Sequence, residues 1–433
     1  MHLLLRKSKK LPVFFYDIFL FLYRQGIGIY SLWNPKAKNW LVGRKNIFKE
    51  IQSQLSRSPD RKNSNTIWIH CSSLGEFEQG RPIIEEIRAK GSGNEIILTF
   101  FSPSGYESKK DYPGVNYVFY LPMDSKKNAG RFLDLVNPSL VIFIKYDLWY
   151  HYLHEIKKRE TECLLVSAIF RKDQVFFKWY GSLQKKMLGF FTNLFVQDEA
   201  SKKLLESIHI HHCIVSGDTR FDAVLKIAEK FEPIVTIECF IDGRKCIVAG
   251  STWKTDEDFL KNVFDELQDH ELALIIAPHE IYETHLDELA KLFPNSIKFS
   301  ECSIEQTGVN HDVLIIDNVG TLSRLYKYGY ITYVGGGFTR DGVHNVLEAA
   351  VYGKPVVFGK NYKKYREAVE LLECGGAKSF SNRDELHQVF STLLHDEDDY
   401  RQKCLASKIY VSRNGGATKK VLDYIEEKRL LTS

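Results

Sequence analysis

The sequence predicts an α/β protein built from two doubly wound domains, with an apolar helical segment in front of them. Three observations carry that expectation. Short, nearly continuous β-branched or aromatic runs alternate with amphipathic stretches over most of the 433 residues. That is the pattern of parallel strands covered by helices on both faces. The alternation loosens after Asp222 and restarts at Lys245. A chain of this length also suits two large domains.

The head comes first, over residues 1–45. The run LPVFFYDIFLFLY at 11–23 is too short to span a bilayer, which takes about 20 residues, and Asp17 interrupts it. Phe14, Phe15, Ile18, Phe19, Leu22 and Tyr23 recur at helical spacing, and no small-x-small cleavage site follows at once. Residues 1–50 hold ten Lys/Arg against two acids, a charge of +8, so the rest of a chain of net charge +4 carries −4. The expected structure is an amphipathic helix in a membrane interface, attached through residues 1–33, with its cations on anionic lipid. The alternative is a helix docked on the body, and both hold if its aromatic edge stays bare. A mildly acidic body excludes a general nucleic-acid binder. Eight scattered cysteines with no C-x-x-C pair exclude a disulfide framework and point to a cytoplasmic body.

The first domain, 46–222, has expected strands at Thr66–His70, Glu95–Phe101, Asn116–Leu121, Leu140–Lys145, Cys163–Ser167, Asn193–Gln197 and His212–Ser216. Amphipathic segments such as Arg81–Lys90 and Glu199–Ser207 separate them. A linker is expected over 223–244. The second domain, 245–433, has expected strands at Lys245–Gly250, Leu272–Ala277, Val313–Ile316, Tyr330–Val334, Pro355–Phe358 and Ala377–Phe380. Ligands of such sheets sit outside the carboxyl ends of strands, so a cleft between two facing domains is the expected substrate site.

Several motifs follow strands directly. In Cys71–Pro82, Ser72 or Ser73 can cap a helix, Gly75 permits close backbone approach, and Glu76 projects beyond the strand end. Glu76 reads either as a general base or as a first-turn acid that satisfies the helix dipole. Tyr330–Gly359 runs strand, Gly335-Gly336-Gly337, loop, a helix from about Asn345 to Tyr352, and strand again. Glycines let backbone N–H groups approach an anion, the helix N-terminus adds its positive end, and Glu348 can accept from ribose hydroxyls. The loops Gly250-Ser251-Thr252, Ala277-Pro278-His279-Glu280 and Asp317–Thr321 suit a phosphate or a pyrimidine edge, although each alone is equally a turn. Arg220, in Ser216–Asp222, can neutralise a carboxylate or a leaving phosphate, or serve as a surface arginine. His209, His211 and His212 lack a metal-ligand spacing, and Asp256-x-Asp258 reads as the acidic opening of a helix, so no metal site is expected.

Together these segments resemble the Kdo transferases, two-domain glycosyltransferases of the GT-B class. The residues that carry the resemblance are Ser72–Phe77, Gly217–Asp222, Ser251-Thr252, Pro278-His279, Asp317–Leu322 and Gly335–Glu348. The resemblance implies transfer of 3-deoxy-D-manno-octulosonic acid (Kdo) from its CMP-activated form to a lipid A precursor, with inversion. It implies no cofactor and no metal, CMP-Kdo being the donor substrate. It makes Glu76 the base and Arg220 the transition-state cation, where the family has a lysine. It assigns donor binding to Ser251, Thr252, Pro278, His279, Val319, Gly320, Thr321, Gly336, Gly337, His344, Asn345, Val346, Leu347 and Glu348. Ser73, Gly75, Lys145 and Asp147 fall on the acceptor side. The implied partners are CMP-Kdo, the lipid precursor and anionic inner-membrane lipid, at the cytoplasmic face of a bacterial inner membrane. Two departures stand out: His279 replaces an arginine, and Lys145 replaces an acid of a Glu-Thr-Glu-Leu-Trp-like run. A UDP-sugar lipid glycosyltransferase, a sugar-nucleotide epimerase and a catalytically silent membrane scaffold are the alternatives, and the membrane-seeking head counts against the epimerase.

Overall fold

The structure, a computed structural model, describes residues 11–57, 65–91, 93–145, 147–267, 271–302 and 311–431. Two compact units emerge. The first comprises residues 1–223 together with 416–433, and the second comprises 224–415.

The first unit holds a seven-stranded parallel sheet in the order β3-β2-β1-β4-β5-β6-β7. The strands are β1 Thr66–Cys71, β2 Glu95–Phe100, β3 Tyr117–Tyr120, β4 Leu140–Ile144, β5 Glu162–Ala168, β6 Asn193–Val196 and β7 Cys213–Val215. β1, β2 and β4 are buried throughout, as their unbroken apolar runs require. The second sheet is also parallel, ordered β10-β11-β9-β8-β12-β13-β14. Its strands are β8 Lys245–Thr252, β9 Leu272–Pro278, β10 Ser296–Lys298, β11 Val313–Ile315, β12 Ile331–Val334, β13 Val356–Gly359 and β14 Ala377–Phe380. The expected strands are all present. β10 was not anticipated, because a three-residue, half-exposed edge strand has no apolar run to mark it.

The domain bounds differ from the expected ones at the C-terminus. The helix Ala417–Glu427 belongs to the first unit, where Val421, Leu422 and Ile425 join the core around Ile69 and Ile142. Asp222 fixes its start by accepting from the backbone N–H groups of Gly416 and Thr418. The stretch read as a linker is largely helical, with Thr219–Glu229 and Val235–Ile241.

The head forms a helix over Leu11–Tyr30, longer than its apolar run. It is docked on the first unit. Leu20 is buried, and Val13 and Tyr16 pack against the core. Tyr16 donates its hydroxyl to Asp124 at 2.7 Å and accepts the Tyr150 N–H at 3.2 Å. Phe14, Phe15, Ile18, Phe19, Phe21 and Leu22 remain exposed. Docking and a bare aromatic edge therefore coexist. Among the described residues no helix is long and apolar enough to cross a membrane. Arg6, Lys7, Lys9 and Lys10 lie outside the described residues. Arg44, counted with the basic head, is a structural cation instead. Its guanidinium lies over the rings of Trp40, Phe101 and Tyr120 at 4.0–4.9 Å. It also donates to the carbonyls of Trp40, Phe101 and Leu121.

Candidate active site

In the first unit, β1 runs into the helix Leu74–Ala89 with Ser73 at its N-cap. The Ser73 hydroxyl does not cap the backbone; it donates to the Glu76 carboxylate. The Lys145 ammonium lies 3.8 Å from the other Glu76 oxygen. Lys145 follows β4, the neighbour of β1, and has a left-handed backbone at φ +62°. Such a conformation costs a non-glycine residue about 1–3 kcal/mol and is found where surrounding structure enforces it. The packing around Gly75 does not demand glycine, since an added Cβ would meet only Ser73 Oγ at 3.8 Å.

Asp147 is held by two donors. Trp149 Nε1–H and His70 Nε2 each approach Oδ2 at 2.9 Å. A carboxylate only accepts, so the His70 proton sits on Nε2. Its Nδ1 then faces the Thr99 hydroxyl at 2.8 Å, which also accepts from Trp68 Nε1 at 2.8 Å. His70 is fully buried. Its one signal in the sequence is a histidine inside the apolar run TIWIHC.

Arg220 is committed to a neighbour. Its Nε and Nη2 donate to Asp218 Oδ2 at 3.0 and 2.8 Å, and its backbone N–H reaches Oδ1 at 3.0 Å. Gln79 Nε2 donates to the same carboxylate at 3.0 Å. Burial alone would raise the Asp218 pKa, but the Arg220 charge and these hydrogen bonds hold it below the ordinary value. Asp218 and Gln79 were not anticipated, because the pairing spans 139 residues.

In the second unit three strand ends are knit together. Gly335 N–H donates to Gly250 O at 2.8 Å, and His279 N–H to Thr252 O at 2.9 Å. Ser251 has φ +54° and Gly336 φ +88°. A Cβ on Gly335 would collide with the Ser251 backbone, and one on Gly337 would stand 2.5 Å from Gly359. Asp256 organises this loop: its carboxylate accepts from Gly336 N–H at 2.9 Å, Trp253 N–H at 3.0 Å and the Tyr333 hydroxyl at 2.6 Å. The sequence alone suggested a helix-opening acid, and nothing local shows that its partner lies 80 residues away. Burial raises its pKa, as it does that of Glu257, which accepts from Thr252 Oγ1 at 2.9 Å.

The rings of Trp253, His279 and His344 stack with neighbouring centroids 4.7 and 4.5 Å apart. Trp253 Nε1–H donates to His344 Nε2 at 3.1 Å. Burial, and then the neighbouring His279, push the His344 pKa down to about 4, so its ring is neutral near pH 7. One expectation needs correcting. The helix read from Asn345 to Tyr352 spans only Leu347–Ala350, too short for an anion-binding macrodipole. The side chains of Val346 and Leu347 are buried, which leaves their backbone for the expected donor contact. Glu348 is held by Asn345 Nδ2 at 2.9 Å. Pro278 ends β9. Val319 is exposed, Gly320 has φ +92°, and Thr321 Oγ1 bonds to Asn318.

Comparison with known proteins agrees with the resemblance. Residues 48–223 match the family model of 3-deoxy-D-manno-octulosonic-acid transferase (kdotransferase). The 3-deoxy-D-manno-octulosonic acid transferase of Aquifex aeolicus is 29% identical over 341 residues, 76% of this chain and 86% of that protein. The one from Haemophilus influenzae is 25% identical over 414 residues, 92% and 94% of the two chains. A bifunctional glycosyltransferase/methyltransferase of Fusobacterium nucleatum is 29% identical over 367 residues, and the chain spans only 56% of its length. Among solved structures, UDP-GlcNAc 2-epimerase from Neisseria meningitidis bound to UDP-GlcNAc has a TM-score of 0.59 at 16% identity, covering 84% and 100% of the chains. A glycosyltransferase from Rickettsia africae has a TM-score of 0.53 at 14% identity, covering 86% and 100%. These two show the fold, the doubly wound pair of the GT-B class. The chain thus resembles the Kdo transferases over most of its length.

Proposed function

From a chain that resembles the Kdo transferases, we propose an inverting glycosyltransferase that moves Kdo from CMP-Kdo to a lipid A precursor. The observation that carries this reading is Glu76 at the carboxyl edge of β1. It is held between the Ser73 hydroxyl and the Lys145 ammonium, inside the stretch that matches the family. An acceptor hydroxyl gives its proton to Glu76 as its oxygen bonds the anomeric carbon. The bond from that carbon to the phosphate oxygen breaks, and CMP leaves with the electron pair. Arg220 supplies positive charge. Lys145 keeps the Glu76 carboxylate turned to one side, a positioning role in place of the acid the resemblance would put there.

The second unit takes the donor. The loops of Ser251-Thr252, Pro278-His279, Val319–Thr321 and Gly336-Gly337 let backbone approach an anion closely. The N–H groups of Gly336 and His279 and the hydroxyls of Thr252 and Thr321 brace the loops. The Ser251 hydroxyl, with the backbone of Val319, Gly320 and Gly337, meets the ligand. The His279–His344 stack offers flat faces for a pyrimidine. The exposed aromatic edge of Leu11–Tyr30 suits peripheral attachment to an anionic membrane, where the lipid acceptor resides.

Mass spectrometry of products from CMP-Kdo and a lipid A precursor tests the reading. A product heavier by one or more Kdo units, with release of CMP, is expected. Turnover with a UDP-sugar and none with CMP-Kdo overturns it in favour of another GT-B enzyme.

A further inference from the structure

A cavity of about 750 Å³ opens in the first unit, between the helix Leu11–Tyr30 and the segment 175–187. That volume lies within the range of small-molecule sites, about 300–1,000 Å³. Its walls include Leu11, Phe15, Phe19, Phe176, Leu183 and Met187, and Asp147 also lines it. Phe15 and Phe19 are themselves exposed, so the wall continues outward into the bare face of Phe14, Ile18 and Leu22. Tyr180 lines it on the other side, next to Trp179, which is 94% exposed. Aromatic groups left in the open on both flanks mark a surface that another apolar body covers.

We propose that this cavity takes one acyl chain of the lipid acceptor. The inference rests on the transferase reading above. Two features favour the acceptor's chain over any bulk lipid. Asp147 lies two residues beyond Lys145, and Lys145 pairs with Glu76, so a chain seated here brings its polar head toward the candidate base. Asp147 is also held by His70 and Trp149, which gives a largely apolar cavity wall a fixed polar group. A chain that only anchored the protein would need the exposed face and not a cavity that shares Asp147 with the acceptor side.

Ser182→Trp and Gln184→Trp test this, since both residues line the cavity and neither belongs to the buried core. Each added ring should narrow the cavity and obstruct a chain seated in it. The expected result is a KM at least tenfold higher for the acylated acceptor, with kcat, CMP affinity and the KM for the chain-free sugar headgroup unchanged. Equal effects on the acylated and chain-free acceptors, or no effect on either, overturn the proposal. Pelleting with anionic liposomes should stay unchanged; a fall in step with the KM shift reassigns the cavity to general membrane contact. A readout independent of transfer separates this proposal from the transferase reading. Bromine-labelled fatty acids of increasing length should quench tryptophan fluorescence with affinity rising by about fourfold per methylene. Ser182→Trp should abolish that dependence. Quenching without length dependence in the unaltered protein overturns the cavity assignment whatever the reaction proves to be.

Discussion

The two units share a sheet type and differ in what they place at its edge. In each, the strand order reverses beside a central strand, at β1/β4 and at β8/β12. Both switch points carry a strained non-glycine residue, Lys145 at φ +62° and Ser251 at φ +54°. The first unit fills its edge with charge: Glu76, Lys145, Asp147, and the Asp218–Arg220 pair. The second fills its edge with backbone, held by Asp256 from below and crowded so closely that Gly335 and Gly337 admit no side chain. The division follows from chemistry. Moving a proton needs a side chain that can carry one. Binding an anion needs fixed donors that need not be reorganised when the ligand arrives.

The largest expected effect breaks this division if it is wrong. Glu76→Gln keeps size and removes the base, so turnover should fall by about 10²–10⁴-fold. CMP affinity, carried by the other unit, should stay within twofold in calorimetry. A kcat within a factor of ten of the parent, or a parallel loss of CMP binding, would show that the charge at β1 is structural. The next effect belongs to the second unit. Asp256→Ala orphans the donors Gly336 N–H, Trp253 N–H and Tyr333 O–H. A buried unsatisfied donor costs about 1–3 kcal/mol. CMP affinity should therefore drop at least tenfold and the melting temperature should fall. Retained CMP affinity would mean that the glycine loop does not hold the donor.

The same contrast explains what the sequence made legible. Strands buried on both faces announce themselves as apolar runs, and the sheet could be read nearly whole. Glu76 and the glycines were readable because strand-end residues of these types have a chemical use at that place. What stayed hidden depends on partners far along the chain. Asp256 looks like a helix-opening acid until Gly336 is seen above it. Asp218 gains its meaning from Gln79, and Arg44 from the rings of Phe101 and Tyr120. The helix Ala417–Glu427 falls within the 245–433 expected for the second domain, yet its apolar face has its matching core in the first unit.

Acid should bring out a difference in the second unit. His344 titrates near 4 when folded, against an ordinary 6.5. Between those values the unfolded chain binds the proton and the folded one does not. The contribution of a neutral His344 is therefore full above about pH 6.5 and is lost progressively as pH falls toward 4. Buried Asp256 and Glu257, whose pKa values are raised, work in the opposite direction, so total stability is the wrong readout. The informative quantity is the denaturation midpoint of the parent minus that of His344→Gln, at pH 7 and at pH 5. Gln offers an oxygen to the Trp253 N–H without titrating. The difference should shift against the parent at pH 5, and a difference that does not move would mean the Trp253–His279–His344 stack admits a charge.

The smallest effects concern the head, where charge of one sign serves two purposes. Lys36 and Lys38 are exposed beside Leu32 and Trp33, whereas Arg44 is sunk among rings and carbonyls. A cation at a membrane surface contributes about 1 kcal/mol. Lys36→Gln or Lys38→Gln should then lower partition onto anionic vesicles by about fivefold at low salt, and by less as salt screens the surface. Arg44→Gln should leave partition unchanged and lower the melting temperature instead, since three carbonyl oxygens lose their donor. If Arg44→Gln weakens vesicle binding as much as Lys36→Gln without loss of stability, the head acts as one undivided cationic patch and its docking through Arg44 is incidental. If the lysine variants bind vesicles like the parent, attachment runs through the aromatic edge alone.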